Sequence, residues 1–220
     1  VDHSALVDVI TRIVQQELSR KDCPPVLKDD RDGLITVAIS NRHVHLSEKE
    51  IEILFGPGHH LRRAKELSQP GQYACEETVT LVGPKGVLEK VRVLGPPRRR
   101  TQVEISITDC FKLGIRVPLR DSGDLDNSAP VTLVGTAGSV TIAEGCIIAA
   151  RHIHMSEADA IHFGLKDGDK VNVRARGPRG LTFAEVLIRV HRQYRLEMHV
   201  DVDEGNAVGL KNGDLVEIIK

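Results

Sequence analysis

The heptapeptide Arg42-His43-Val44-His45-Leu46-Ser47-Glu48 returns more than a hundred residues later as Arg151-His152-Ile153-His154-Met155-Ser156-Glu157. Side chains at i and i+2 of a strand share a face, so each copy can aim two imidazoles at one point. Imidazole is the commonest side-chain ligand for zinc. The Ser that follows, with an acid three residues on (Glu50, Asp159), reads as a capping box that ends a strand and starts a helix. A whole unit is therefore repeated: strand, paired imidazoles, N-cap, helix. Such duplication predicts a site built between two related domains.

A chain of 220 residues accommodates two small domains or one large one. Nineteen Gly, two Tyr, four Phe and no Trp leave Val, Ile and Leu to form the core, which favours short strands and tight turns. The texture from Leu34 onward is β-rich. Val79-Thr80-Leu81-Val82-Gly83 is echoed by Val131-Thr132-Leu133-Val134-Gly135, and Val171 to Val173 leads into Gly177-Pro178-Arg179-Gly180. Gly164-Leu165-Lys166-Asp167-Gly168-Asp169 is matched by Gly209-Leu210-Lys211-Asn212-Gly213-Asp214, whose first glycines read as C′ residues ending short helices.

The expected fold is mainly β with short helices: two related small β-barrel domains plus an N-terminal amphipathic helix. The expected domains are residues 1–33, 34–125 and 126–220, with the boundary between barrels near Asp121 to Pro130. The segment Val131 to Ala150 suits either barrel, and segments can swap between them.

In residues 4 to 20, Leu6, Val9, Ile10, Ile13, Val14 and Leu18 recur at helical spacing. Asp22-Cys23-Pro24-Pro25 stops that helix and a polar linker follows. Periodicity alone fits equally a helix packed on the body and a peptide that docks on a partner. A net charge of −1 offers no bulk electrostatic case for nucleic acid or an anionic membrane surface. Apolar runs fall short of the roughly 20 residues of a membrane span, and a signal-peptide h-region is missing from the start. Cys23, Cys75, Cys110 and Cys146 lack C-x-x-C spacing, which fits reduced thiols in a cytosolic compartment.

Two histidines do not complete a zinc site. Thr101 to Ile107 alternates and places Glu104 and Ser106 on one face. Tyr194 to Val200 does the same for Glu197 and His199. The pattern leaves both Glu197 and His199 open as the further ligand in the second half. Arg98-Arg99-Arg100 precedes the Glu104 strand; two of these belong to a solvated run, and one at the mouth of the strand suits an anion subsite beside the metal. His3, His59, His60, His162 and His191 fall outside the repeated His-x-His pattern and read as exposed or structural. Nucleophile elbow, P-loop and dinucleotide fingerprints are missing, so metal-assisted chemistry is favoured over a covalent nucleophile.

Arg42 to Ser47, Gly95-Pro96-Pro97-Arg98 with Thr101-Gln102-Val103-Glu104, Arg120-Asp121-Ser122-Gly123-Asp124, and Ala150 to Met155 together resemble the PduL-type phosphate propanoyltransferases, the phosphotransacylases of bacterial microcompartments. The resemblance runs from about Ile35 to the C-terminus. It implies two β-barrel domains around a dinuclear zinc site, where acyl-CoA and phosphate exchange with acyl phosphate and CoA. One zinc would be held by His43, His45 and Glu104, the other by His152, His154 and His199; the choice of His199 over Glu197 comes from the resemblance. Arg98 corresponds to the family's phosphate-contacting arginine. The N-terminal helix looks like the family's encapsulation peptide, implying a microcompartment lumen and shell or lumen enzymes as partners; a homo-oligomer is the expected assembly.

Residues contacting coenzyme A are not specified, with Gln69-Pro70-Gly71-Gln72-Tyr73 a candidate stretch. The rival readings are a dinuclear zinc hydrolase and a non-enzymatic module stabilised by structural zinc.

Overall fold

The computed structural model describes residues 33–219; the expected helix at residues 4–20, together with His3 and Cys23, lies outside them. A compact unit begins at Leu34. Its strands are β1 (Leu34–Ser40), β2 (His43–His45), β3 (Arg63–Glu66), β4 (Tyr73–Val82), β5 (Val87–Gly95), β6 (Gln102–Glu104), β7 (Leu119–Arg120), β8 (Ala129–Val134), β9 (Ser139–Ala149), β10 (His152–Met155), β11 (Lys170–Ala175), β12 (Leu181–Val190), β13 (Glu197–Asp201) and β14 (Leu215–Ile219). Four short helices intervene: α1 (Glu48–Phe55), α2 (Ile107–Leu113), α3 (Glu157–Phe163) and α4 (Val202–Val208).

The strands close into two six-stranded barrels. One runs β4-β5-β2-β6-β9-β8 and back to β4, with β3 and β7 added outside the ring. The other runs β1-β13-β10-β12-β11-β14 and back to β1. Each has its own apolar core. Val44, Leu46, Leu81, Val93, Val103, Leu133 and Cys146 fill the first; Ile35, Val37, Ile153, Met155, Val186, Ile188 and Met198 fill the second. The scarcity of aromatics is met by β-branched residues and Leu on the inward face, as barrel interiors of this size require.

The barrels are not the contiguous segments 34–125 and 126–220. Strand β1 belongs to the second barrel, where it runs parallel to β13 and antiparallel to β14. Strands β8 and β9 close the first, so Val131 to Ala150 falls there rather than in the later half. The reason is a strand exchange. Strand β9 lies parallel to β6 in the first barrel as β1 lies parallel to β13 in the second. Each first strand of a repeat thus pairs in one barrel and hands the chain to the other. The two crossings, at Asn41-Arg42 and Ala150-Arg151, immediately precede the two histidine pairs.

Local chemistry fixes the ends of the helices. The Ser156 hydroxyl accepts from the Asp159 amide while the Asp159 carboxylate accepts from the Ser156 amide, giving the expected capping box. Ser47 departs from it: its hydroxyl is bonded to the Glu50 carboxylate, and Thr101 Oγ1 donates to the same oxygen at 2.9 Å. Two further boxes, Ser106/Asp109 and Asp201/Glu204, start α2 and α4. Ser106 is therefore an N-cap, not a strand neighbour of Glu104, because β6 ends at Glu104 and the chain turns into α2. Gly164 and Gly209 end α3 and α4 in the left-handed conformation, where lack of a Cβ avoids the steric cost.

Candidate active site

The exchange brings both histidine pairs to the seam between the barrels. A narrow cavity there is lined by His43 and Glu104 from one barrel and His152 and His199 from the other. Strand register explains the grouping. His43 lies opposite Glu104 on the antiparallel β2–β6 pair, and His152 opposite His199 on β10–β13. Adjacent cross-strand residues on one face sit about 5 Å apart, within reach of a common ion. Gln102 and Glu197 occupy the equivalent places opposite His45 and His154.

In the first triad one donor atom from each of His43, His45 and Glu104 lies within 4.8 Å of the others. His43 Nε2 is 3.4 Å from Glu104 Oε2. In the second triad the rings gather, with centroid separations of 4.7 Å (His152–His154), 5.2 Å (His152–His199) and 4.8 Å (His154–His199). Among the described residues only the first triad draws its donor atoms that tightly together.

Hydrogen bonding fixes the ring tautomers in the same way in both repeats. His43 Nδ1 meets the Asn41 carbonyl at 2.8 Å, and His152 Nδ1 meets the Ala150 carbonyl at 2.9 Å. A carbonyl only accepts, so Nδ1 carries a proton in both rings. His45 Nδ1 and His154 Nδ1 are buried without a hydrogen bond, whereas the buried His199 Nε2 lies 3.1 Å from the Glu197 carboxylate. Buried nitrogens without partners are costly, and convergent imidazole donors suit a metal.

Electrostatics keeps this donor set ready. Burial, then the neighbouring His43, holds His45 well below the usual imidazole range. Burial and His199 lower His152 to about 4, and burial with His152 and His199 lowers His154 to about 2. These rings are neutral near pH 7 and offer lone pairs rather than protons. Burial would raise Glu104, but His43, His45 and Arg98 outweigh it and hold the carboxylate well below its usual range. Burial would lower His43, and Glu104 overrides it upward.

The arginine run separates into one half-buried residue and two exposed ones. Arg100 bonds Asp126 at 2.7 Å and Glu144 at 3.1 Å on the surface, and Arg99 is exposed. Arg98 is half-buried, its amide donating to Leu46 O at 2.8 Å, and its charge acts on Glu104 and His45. Burial, then Arg189, pushes the Arg98 guanidinium down from its ordinary value. Arg189, in register with His154 on β12, is a second cation at the site that motif reading passed over.

Other supporting residues escaped the sequence as well. The motif arginines clamp helix starts. Arg42 forms a two-point pair with buried Asp109 (2.9 and 2.7 Å), and Arg151 reaches Glu204 at 2.6 Å. Each arginine thereby ties the crossing chain to the capping box that follows the opposing strand. Gln69, in the candidate coenzyme stretch, is bonded to Arg195 and Glu197. Tyr73 from that stretch is buried against Gly95. His59 is structural, at 2.9 Å from the buried Glu77 carboxylate.

A family model described as phosphate propanoyltransferase matches residues 36–211. A Thermotoga maritima phosphate propanoyltransferase is 56% identical over 187 residues, covering 84% of this chain and 89% of its own. One from Rhodobacter capsulatus is 50% identical over 217 residues, covering 98% of both chains. One from Rhodopseudomonas palustris is 55% identical over 186 residues, covering 84% and 82%. A match spanning both barrels and both histidine pairs means that the chain belongs to the phosphate propanoyltransferase family of transferases.

Proposed function

We propose that the seam between the barrels exchanges an acyl group, of propanoyl or similar short length, between coenzyme A and inorganic phosphate. Two zinc ions complete the site, one with His43, His45 and Glu104 and the other with His152, His154 and His199. The observation that supports this reading is the convergence of both repeats on one cavity, lined by His43, Glu104, His152 and His199, with His45 and His154 each keeping a buried ring nitrogen that has no hydrogen-bond partner. When bound, zinc supplies a Lewis acid toward oxygen and a favourable partner for thiolate sulfur.

In the forward step a phosphate oxygen attacks the thioester carbonyl, the new C–O bond forms, and the C–S bond breaks. The electron pair leaves with sulfur as the coenzyme thiolate, which later takes a proton. Arg98 anchors phosphate through its guanidinium, which is half-buried and therefore less screened than a surface charge. Holding the two reactants at contact removes much of the entropic cost of their encounter. Cys75, Cys110 and Cys146 are buried, with thiols pushed up from their ordinary value chiefly by burial. They are poor nucleophiles, in keeping with direct transfer rather than an acyl-enzyme.

The test is coenzyme release from propanoyl-CoA with and without phosphate, alongside elemental analysis. Phosphate-dependent release with two zinc per chain supports the reading; equal release without phosphate means hydrolysis and overturns it. Arg98→Ala should raise the KM for phosphate by about 10–100-fold, the value of one charge-assisted hydrogen bond. The KM for acyl-CoA should change far less, and equal increases would remove Arg98 from the phosphate subsite.

Residues 4–20 are read as the peptide that takes the enzyme into a microcompartment lumen by docking on shell or lumen proteins, with the barrels assembled as a homo-oligomer. Fused to a fluorescent protein, residues 1–22 should produce puncta only in cells that make a shell. Diffuse fluorescence in both backgrounds would exclude that role.

A further inference from the structure

The turn between β3 and β4 leaves the first barrel and grips β13 of the second. Gln69 is only 7% exposed, and its amide pairs in both directions with Arg195. Its Nε2 donates to the Arg195 carbonyl at 3.1 Å, and its Oε1 accepts from the Arg195 amide at 3.1 Å. The same Nε2 lies 3.2 Å from Glu197 Oε2, and the Ser68 hydroxyl also donates to that oxygen. Glu197 is thus fixed two residues before His199, on the same face of β13, with Oε2 3.1 Å from His199 Nε2.

The first barrel has a counterpart built from complementary atoms. Gln102 stands two residues before Glu104, donates to Glu104 Oε1, and donates to Ser122 Oγ at 2.8 Å. Its Oε1 accepts from the Gly123 amide at 2.9 Å, and Ser122 Oγ donates to Glu104 Oε1 at 3.2 Å. Where the triad's third member is a carboxylate, the residue behind it is an amide donor. Where the third member is an imidazole, the residue behind it is a carboxylate acceptor. Both positions change together between the repeats, which keeps each pair complementary.

We propose that Gln102 and Glu197 are positioning residues for the third donor of each triad, and that the Ser68–Gln69 turn makes the second triad depend on the first barrel. This rests on the metal reading above. A carboxylate beside an imidazole biases its tautomer and resists rotation of the ring; outer partners of this kind are typically worth about 10–100-fold in metal affinity. The turn crosses the seam, so its loss loosens His199 without touching His43, His45 or Glu104.

The experiment follows zinc transfer from the purified full chain to a colorimetric chelator. Wild type should release two equivalents, and His154→Ala identifies which phase belongs to the second triad. Glu197→Ala and Gln69→Ala should speed that phase by about 10–100-fold and leave the other at the wild-type rate. Gln102→Ala should do the reverse. Glu197→Gln keeps an acceptor oxygen and should stay closer to wild type than Glu197→Ala. Ser68→Ala, which removes a single hydroxyl, should show a smaller acceleration of the same phase and covers the case in which the larger truncations fail to fold. Unchanged release in the Gln69 and Ser68 variants, with two zinc bound in wild type, would overturn the strap alone. A wild-type chain that takes up no zinc would overturn the metal reading itself.

Discussion

Glu104→Ala is expected to take the zinc content from two to one per chain and to lower acyl-phosphate formation by on the order of 10³-fold, comparable to removing a preorganised charged group from a reaction centre. Glu104 is the only carboxylate in either proposed triad, and it is held ionised by His43, His45 and Arg98. Without it, the half-buried Arg98 guanidinium loses the carboxylate that offsets its charge. Gln102 and Ser122, which both donate to Glu104 Oε1, each lose that acceptor beneath the site. Glu104→Gln tests the charge separately from the shape: it keeps the volume, and metal retention should still fall because a neutral amide is a weaker zinc ligand. Elemental analysis and a phosphate-dependent turnover assay read both effects. Two zinc with full turnover in Glu104→Ala would remove this residue from the ligand set.

The two halves of the site differ in how visible they were from sequence. The histidine pairs stood out because period-2 geometry is local: His43 and His45, or His152 and His154, share a face whichever strands flank them. Glu104 and His199 became candidates by the same rule. What period 2 cannot supply is the identity of the neighbouring strand. The pairing of β1 with β13 links residues far apart in the chain, and a segment that leaves one barrel for the other looks the same as one that stays. This is why Val131 to Ala150 suited either barrel until its hydrogen bonds were known.

Residues that act through long-range partners were hidden for a related reason. Arg42 sits in the motif beside His43 and His45, yet its partner Asp109 is 67 residues away. Gln69 meets Arg195 across 126 residues. Neither contact leaves a trace in local spacing. Ser106 was misplaced because alternation was extended through a strand end that is set by a cap. The signal was there: Ser106 followed three residues later by Asp109 is the same capping pattern that was recognised at Ser156. Glu197 was seen as a ligand candidate on the correct face, but whether a carboxylate on that face touches an ion or the ring beside it depends on the turn that grips it from the other barrel.

Gly83→Ala and Gly135→Ala should each destabilise the barrels by about 3 kcal/mol, through a contact that explains the repeated Val-Thr-Leu-Val-Gly segments. Both glycines end a strand and enter a hairpin, donating across it to Gly86 and Gly138 respectively, at 2.9 Å in each case. Each hairpin tip then caps a helix: the Lys85 amide donates to Leu113 O at 3.0 Å, and the Ala137 amide to Leu54 O at 2.9 Å. A methyl group on Gly83 would stand 2.3 Å from Leu113 O, and one on Gly135 would stand 2.2 Å from Leu54 O. The backbone there is one an alanine can adopt, so the cost is the collision itself. Relief requires the helix end to move off the hairpin, which breaks the bond that satisfies its last carbonyls. Gly205 provides the contrast. Its nearest neighbour would be the flexible tip of Ile39 at 3.0 Å, and it lies within α4, where alanine is favoured over glycine by about 1 kcal/mol. Urea unfolding should therefore show clear losses for the two hairpin variants and little change for Gly205→Ala. Wild-type midpoints for Gly83→Ala and Gly135→Ala would mean that the hairpins do not approach the helices this closely, and the repeated segment would need another physical reason.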